Sequence, residues 1–375
     1  MSYLLRRAPL SRLLLLCALV VVLGASLTAL AFALGAGPVP PERKLADAVH
    51  EALSAKPVEG VSAQIQLTDR LLEGANLASG SGGPAGQLSS SPLLNGASGR
   101  LWIAKNGGFR LELQSQQGDT QIYSNGNGTV SMYDASSNTL YRYKVPAHEG
   151  SWHQTAGSGA PGSGPADQGP PNVAKIEEAI SKLDEHAEVS GAEPTNIAGQ
   201  AAYTVSASPK EKGSLVGRAE LSWDAVHGAP LRAALYSTNG SAPVLELTAT
   251  SISYGSVGMS TLAFEPPASA KIEEVVLPEH GPDEGGSEQG GEHPKLRTFG
   301  KGPSTIAVLE GRAGSGAERS SPLPEGVQQV KVGNVTAGEL TTQLGTLLSF
   351  ERQGVRYLVA GAVEQSAVEA VAKGL

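Results

Sequence analysis

Between residues 99 and 143 the chain reads GRLWIAKNGGFRLELQSQQGDTQIYSNGNGTVSMYDASSNTLYRY, and this run constrains the fold more than any other. Leu101 and Ile103 alternate with polar neighbours, KNGG turns the chain, and Phe109, Leu111 and Leu113 return with the same alternation. A period of two bounded by Asn-Gly turns predicts antiparallel hairpins, because successive strand side chains point to opposite faces. TQIYS then pairs across NGNG with TVSMYD, and SSN turns into TLYRYKV. The expected product is a meander of short strands, with one face of the sheet buried and the other wet.

The flanks extend the pattern. Leu45, Val49, Ala52 and Leu53 share one helical face until Pro57 stops it, and Val61, Ala63, Ile65 and Leu67 then alternate as a half-buried strand. A second helix is predicted after Asn172, its N-cap, with Val173, Ile176, Ile180 and Leu183 on the apolar side. Strands resume with QAAYTVSAS, LVGRAELSWD, LRAALYST, VLELTATSISYG and a closing STLAFEPPASAKI. Gly/Ser-rich inserts are expected at 74–98 and 149–171, and an acidic linker at 279–294. Residues 295–375 read as a small α+β unit ending in the helix EQSAVEAVAKGL. The expected class is α+β in two domains, 40–275 and 295–375, and 375 residues give ample room for both.

Arg6, Arg7 and Arg12 precede an uncharged apolar stretch over residues 13–37. That length crosses about 30 Å of hydrocarbon as a helix. The basic flank predicts residues 1–12 in the cytoplasm and everything after the stretch outside. Alternatively AFA at 31–33 offers a signal-peptide cleavage site, and the protein is then secreted. Either way the working part is extracytoplasmic, and as a retained anchor residues 13–37 are its contact with the membrane. Cys17, the single cysteine, lies in this stretch, so the sequence allows no internal disulfide and no cysteine metal site. A net charge of −8 disfavours a nucleic-acid partner.

Catalytic constellations do not assemble. His50-Glu51 lacks a second histidine at the helical spacing of a zinc peptidase, and no G-x-S-x-G elbow occurs. GKG at 300–302 lacks the rest of a phosphate loop, and the acidic and histidine residues of 279–294 fit a solvated linker. The expectation is a protein without catalytic residues, metal or cofactor, hence not an enzyme.

Three motifs, in order, carry a resemblance. L-W-I-x-K-x-x-x-F from Leu101 to Phe109, S-N-G…V-S-M-Y-D, and F-E-P-P-A from Phe264 to Ala268 resemble the LolA/LolB-like lipoprotein-carrier superfamily over residues 40–275. The last 80 or so residues resemble modules appended to some Gram-positive relatives and to periplasmic regulators of the MucB/RseB type. The resemblance implies an antiparallel, strongly curved half-barrel capped by helices, around an apolar cavity for a lipid or lipoprotein acyl chain. Alternation nominates Ile65, Leu67, Leu101, Ile103, Phe109, Leu111, Ile122, Met132 and Leu140 as inward residues. On their own these nine fit an ordinary core equally, and only the resemblance turns them into a cavity lining. It also puts Lys105 where carriers often have an arginine bonded to the helical lid; lysine is the weaker bidentate donor there. Two functions follow: a non-catalytic carrier or chaperone for an acyl chain, or an envelope-stress sensor that binds a membrane protein through residues 295–375.

Overall fold

The computed structural model describes residues 37–73, 96–115, 118–126, 128–144, 170–276, 295–312 and 327–375. The N-terminal apolar stretch up to residue 36, nearly all of both expected inserts, and the expected acidic linker lie outside the described residues. Among the described ones no helix is long and apolar enough to cross a membrane.

Helix α1 (Leu45–Ser54) leads into β1 (Gly60–Asp69). The meander follows as β2 (Ala97–Ala104), β3 (Phe109–Ser115), β4 (Gly118–Ser124), β5 (Thr129–Asp134) and β6 (Thr139–Lys144). The connections β2–β3, β4–β5 and β5–β6 fall where the Asn-Gly and Ser-Asn signals stand. β2 begins at Ala97, so the first insert stops short of residue 98. Helix α2 (Val173–Asp184) starts as predicted, with the Asn172 side chain accepting from the Lys175 N–H. It carries the whole apolar pattern to Leu183, and Ala187–Val189 beyond it is strand β7, paired with β9. There follow β8 (Glu193–Ile197), β9 (Gln200–Pro209), β10 (Val216–Asp224), β11 (Pro230–Ser237) and β12 (Pro243–Tyr254).

The closing stretch departs from expectation. Its first three residues end a single helical turn, α3 (Met259–Leu262), residues 263–270 form neither helix nor strand, and only Lys271–Val276 is a strand, β13. Pro266 and Pro267 lack the N–H groups a ladder needs, which delays the strand until they are passed. β13 runs parallel to β6, the one parallel pairing among the recorded registers.

These strands form a 13-stranded sheet in the order β13-β6-β5-β4-β3-β2-β1-β12-β11-β10-β9-β7, with β8 also on β9. The sheet is curved and does not close into a barrel. Register shifts where β12 meets β1 and β11, and where β10 meets β11, supply bends. Gly99 allows the close approach of β2 to β3, since a Cβ there would overlap the carbonyl oxygen of Glu112.

The C-terminal residues build a second sheet from β14 (Lys295–Phe299), β15 (Ile306–Arg312), β16 (Gln328–Val332), β17 (Val335–Thr341), β18 (Thr346–Arg352) and β19 (Val355–Gly361). All are antiparallel, in the order β14-β15-β19-β18-β17-β16. Helix α4 (Gln365–Lys373) lies on one face, and Val368 and Ala372 enter a core with Val308, Val332, Leu348 and Val359. Main-chain bonds join the two sheets: Leu215 N–H donates to Ala362 O at 2.7 Å, and Gln343 N–H to Leu71 O at 3.2 Å.

Candidate functional site

Cross-strand partners share a face, so the registers sort the large sheet's side chains without ambiguity. One row reads Ala63, Leu101, Leu111, Ile122, Met132 and Tyr141 across β1 to β6. A second reads Val205, Leu221, Ala233, Leu247, Leu67 and Ala97 across β9, β10, β11, β12, β1 and β2. Ile65 lies between these rows on the same face, opposite Ala249 and Gly99, while Ile103 and Phe109 pair at the far end. Eight of the nine nominated residues therefore share one continuous apolar face.

Helix α1 covers one end of this face. Ala48, with Leu45, Val49 and Ala52, packs on Tyr203, Trp223 and Ala192. Tyr203 extends the contact by donating its hydroxyl to Pro41 O at 2.7 Å. A second small cluster joins Ala63, Ile65, Ala97 and Leu113, with Leu101 and Leu111 at its border. Between and beyond these clusters the face stays open: Leu221 is 46% exposed, Leu247 45% and Ile103 38%. Leu221 on β10 and Leu247 on β12 lie in one row with Ala233 of β11 between them, and so form a patch rather than scattered surface apolars.

Leu140 is the exception. It pairs with Tyr133 and Ile272 on the opposite face, where Gln64, Arg100, Glu112 and Gln121 make up the rest of its row. Leu140 is fully buried there, so it is core and not wall. Two grooves touch the nominated set at its margin. One of about 820 Å³ takes in Leu67 and Ala97 beside Gln66, Asp69, Arg70 and Gln114. Another of about 320 Å³ takes in Ile65 beside Gln64, Arg100 and Glu112.

Lys105 does not meet a helix. Its amine is 2.6 Å from Glu59 Oε1, ahead of β1, and both groups are well exposed. The fastening the resemblance assigns to Lys105 is instead made by Arg110, on the face opposite Phe109 and Leu111. Arg110 Nη1 donates to Ala263 O at 2.8 Å and to Thr261 O at 3.3 Å, holding α3 and the stretch after it. Its Nη2 donates to Glu112 Oε1 at 2.5 Å, and its guanidinium lies over the rings of Trp102 and Phe264. Phe264 in turn packs between Tyr123 and Tyr133, with ring centroids 5.6 and 5.4 Å away. Tyr123, Tyr133 and Arg110 all stand on the polar face, so the F-E-P-P-A motif straps the back of the sheet. The available signal was the density of aromatics on a face that alternation assigns to water.

Asp224 marks a further polar cluster. Burial alone would raise its carboxyl, but hydrogen bonds from the Tyr254 hydroxyl and from the His227 and Val226 N–H groups outweigh it and hold it below the usual range. These bonds close the β10–β11 turn, where Gly228 sits in the left-handed region against Ala52 O of α1. Asp224 and His227 thus lock a hairpin onto α1. Among the described residues no group of three His, Cys, Asp or Glu side chains is placed to hold a metal.

No protein-family model and no curated protein sequence matches the chain. Among solved structures it is similar to the Pseudomonas aeruginosa MucA/MucB complex, at 14% identity and TM-score 0.41, over 87% of this chain and 95% of that one. It is also similar to an uncharacterized conserved protein from Thermus thermophilus, at 12% identity and TM-score 0.33, over 62% and 97% of the two chains. A putative outer membrane lipoprotein-sorting protein domain from Vibrio parahaemolyticus matches at 11% identity and TM-score 0.22, over 56% and 92%. At such values these are likenesses alone, and they assign no function to this chain.

Proposed function

We propose that this is an extracytoplasmic, non-catalytic protein whose large sheet holds a lipid or lipoprotein acyl chain on its apolar face. One observation carries the reading: the row Val205, Leu221, Ala233, Leu247, Leu67 and Ala97 crosses six strands with both Leu221 and Leu247 nearly half exposed. A chain laid along that row covers leucine side chains that water otherwise wets. Each buried methylene contributes about 0.8 kcal/mol, so about ten give ~8 kcal/mol before ordering costs. No polar recognition group is needed, in keeping with the lack of a catalytic set in the sequence. The apolar stretch at 13–37, as a retained anchor, keeps the sheet beside a lipid source. Delipidated protein should take up a fluorescent fatty acid or diacyl lipid; no uptake at any protein or lipid concentration defeats the proposal.

A second reading assigns partner binding to the C-terminal sheet. Its face away from α4 carries Leu296 and Leu309, a cross-strand pair 66% and 38% exposed. In this reading the large sheet reports lipid status, and the small one docks a membrane protein of an envelope-stress pathway. Affinity capture from native membranes with the full chain and with Leu296→Asp/Leu309→Asp separates the two. A specific protein lost in the double variant supports partner binding; identical captures count against it.

A further inference from the structure

Glu339 on β17 is 0% exposed, and neither carboxylate oxygen has a hydrogen-bond partner. Its cross-strand neighbours are Gln328 on β16 and Leu348 on β18, neither of which titrates. Through Leu348 it belongs to the face that α4 covers, and the titratable group facing it from that helix is Glu369. Glu369 is itself held by Lys373 at 3.0 Å and Gln365 at 2.9 Å, so Lys373 is committed within the helix. A buried carboxylate without donors tolerates the neutral form far better than the charged one.

The seat of α4 matters to the whole chain. The residues just before it, Ala362 and Val363, hold the large sheet: Ala362 O accepts from Leu215 N–H and from Ser214 Oγ, and Val363 bridges Ser214. A groove of about 680 Å³ runs along this junction, between Ser214 and Leu215 on one side and Glu364, Ser366 and Ala367 on the other.

We propose that Glu339 is a proton-operated latch: with its proton bound, α4 stays seated and the junction between the sheets closed, and loss of the proton loosens both. Burial, then the charge of Glu369, raises the Glu339 carboxyl above its ordinary range. Its contribution is therefore complete below the unfolded value of about 4.3 and is lost as pH rises through the raised folded value. Glu369 is shifted the other way by Lys373 and Gln365, so its contribution disappears only as pH falls through its lowered value. The two windows lie on opposite sides of an ordinary glutamate and do not cancel.

The test is amide hydrogen exchange of α4 in the full chain from about pH 4 to about pH 9, corrected for intrinsic rates. The α4 opening constant should climb by up to about tenfold per pH unit above about 4.3, then level off. Glu339→Gln should be flat over that range and as protected as wild type at its acid limit. Parallel profiles for wild type and Glu339→Gln overturn the latch. Should that variant fail to fold, Glu369→Gln and the wild-type carboxyl titration decide. Removing the facing charge should move the plateau to lower pH, and Glu339 should titrate above an ordinary glutamate. An unmoved plateau, or an ordinary or lower titration, overturns the proposal.

Discussion

The two sheets of this chain bury their apolar residues in different ways. The six-stranded sheet and α4 with its lead-in gather ten buried residues into one cluster. On the far larger sheet the buried clusters hold only four, four and three residues, and Leu140, Tyr133 and Val244 are buried outside them. One amphipathic helix seals a small sheet because its stripe matches the width of the few central strands. The same device cannot seal thirteen strands: α1 covers Tyr203 and Trp223 and leaves Leu221, Leu247 and Ile103 wet. A sheet with more apolar face than helix to cover it retains free energy to gain from a ligand. The closed core is built for stability, and the open face is proposed to be built for binding.

Four measurements break or sharpen that contrast. The largest effect is expected in the sealed core: Leu348→Ala should cost about 2–5 kcal/mol in denaturant unfolding, the range for a cavity under a fully buried leucine. Arg110→Ala should come next, at about 1–3 kcal/mol, since it leaves Glu112 without its ion pair and frees α3. Arg110→Lys should recover only part, because one ammonium cannot serve Ala263, Thr261 and Glu112 together. On the open face the outcome should split: Leu221→Asp/Leu247→Asp should weaken fatty-acid binding at least about tenfold, ~1.4 kcal/mol, while shifting the thermal midpoint little. A large stability loss with unchanged binding would show this face to be ordinary core. The smallest effect belongs to Lys105→Ala, within about 1 kcal/mol by unfolding, as the Glu59 pair is exposed.

Much of the meander could be read directly. Alternation and turn residues located β1 to β6, and eight of the nine nominated residues came out on one face because a strand fixes parity locally. Leu140 failed for a physical reason: TLYRYK carries apolar groups at 140, 141 and 143, so alternation fits either face. The turn decides, pairing Asp134 with Thr139 and so turning Tyr141 toward Met132 and Leu140 away from it. The aromatics around Arg110 hinted at a strap, but not at its acceptors, Thr261 O and Ala263 O, which lie about 150 residues further along the chain.

Taken alone, the sequence determined the α+β class, the strands and most turns of the meander, the three main helices and the parity of most side chains. These follow from interactions within a few residues: the period of two, glycine and asparagine in turns, and a capping side chain. Tertiary structure alone decided that β1 lies beside β12, that the F-E-P-P-A segment crosses the polar back, and that a glutamate is sealed under α4. It also decided which apolar face stays open. That last outcome depends on how much sheet each helix can reach, and no local pattern encodes it.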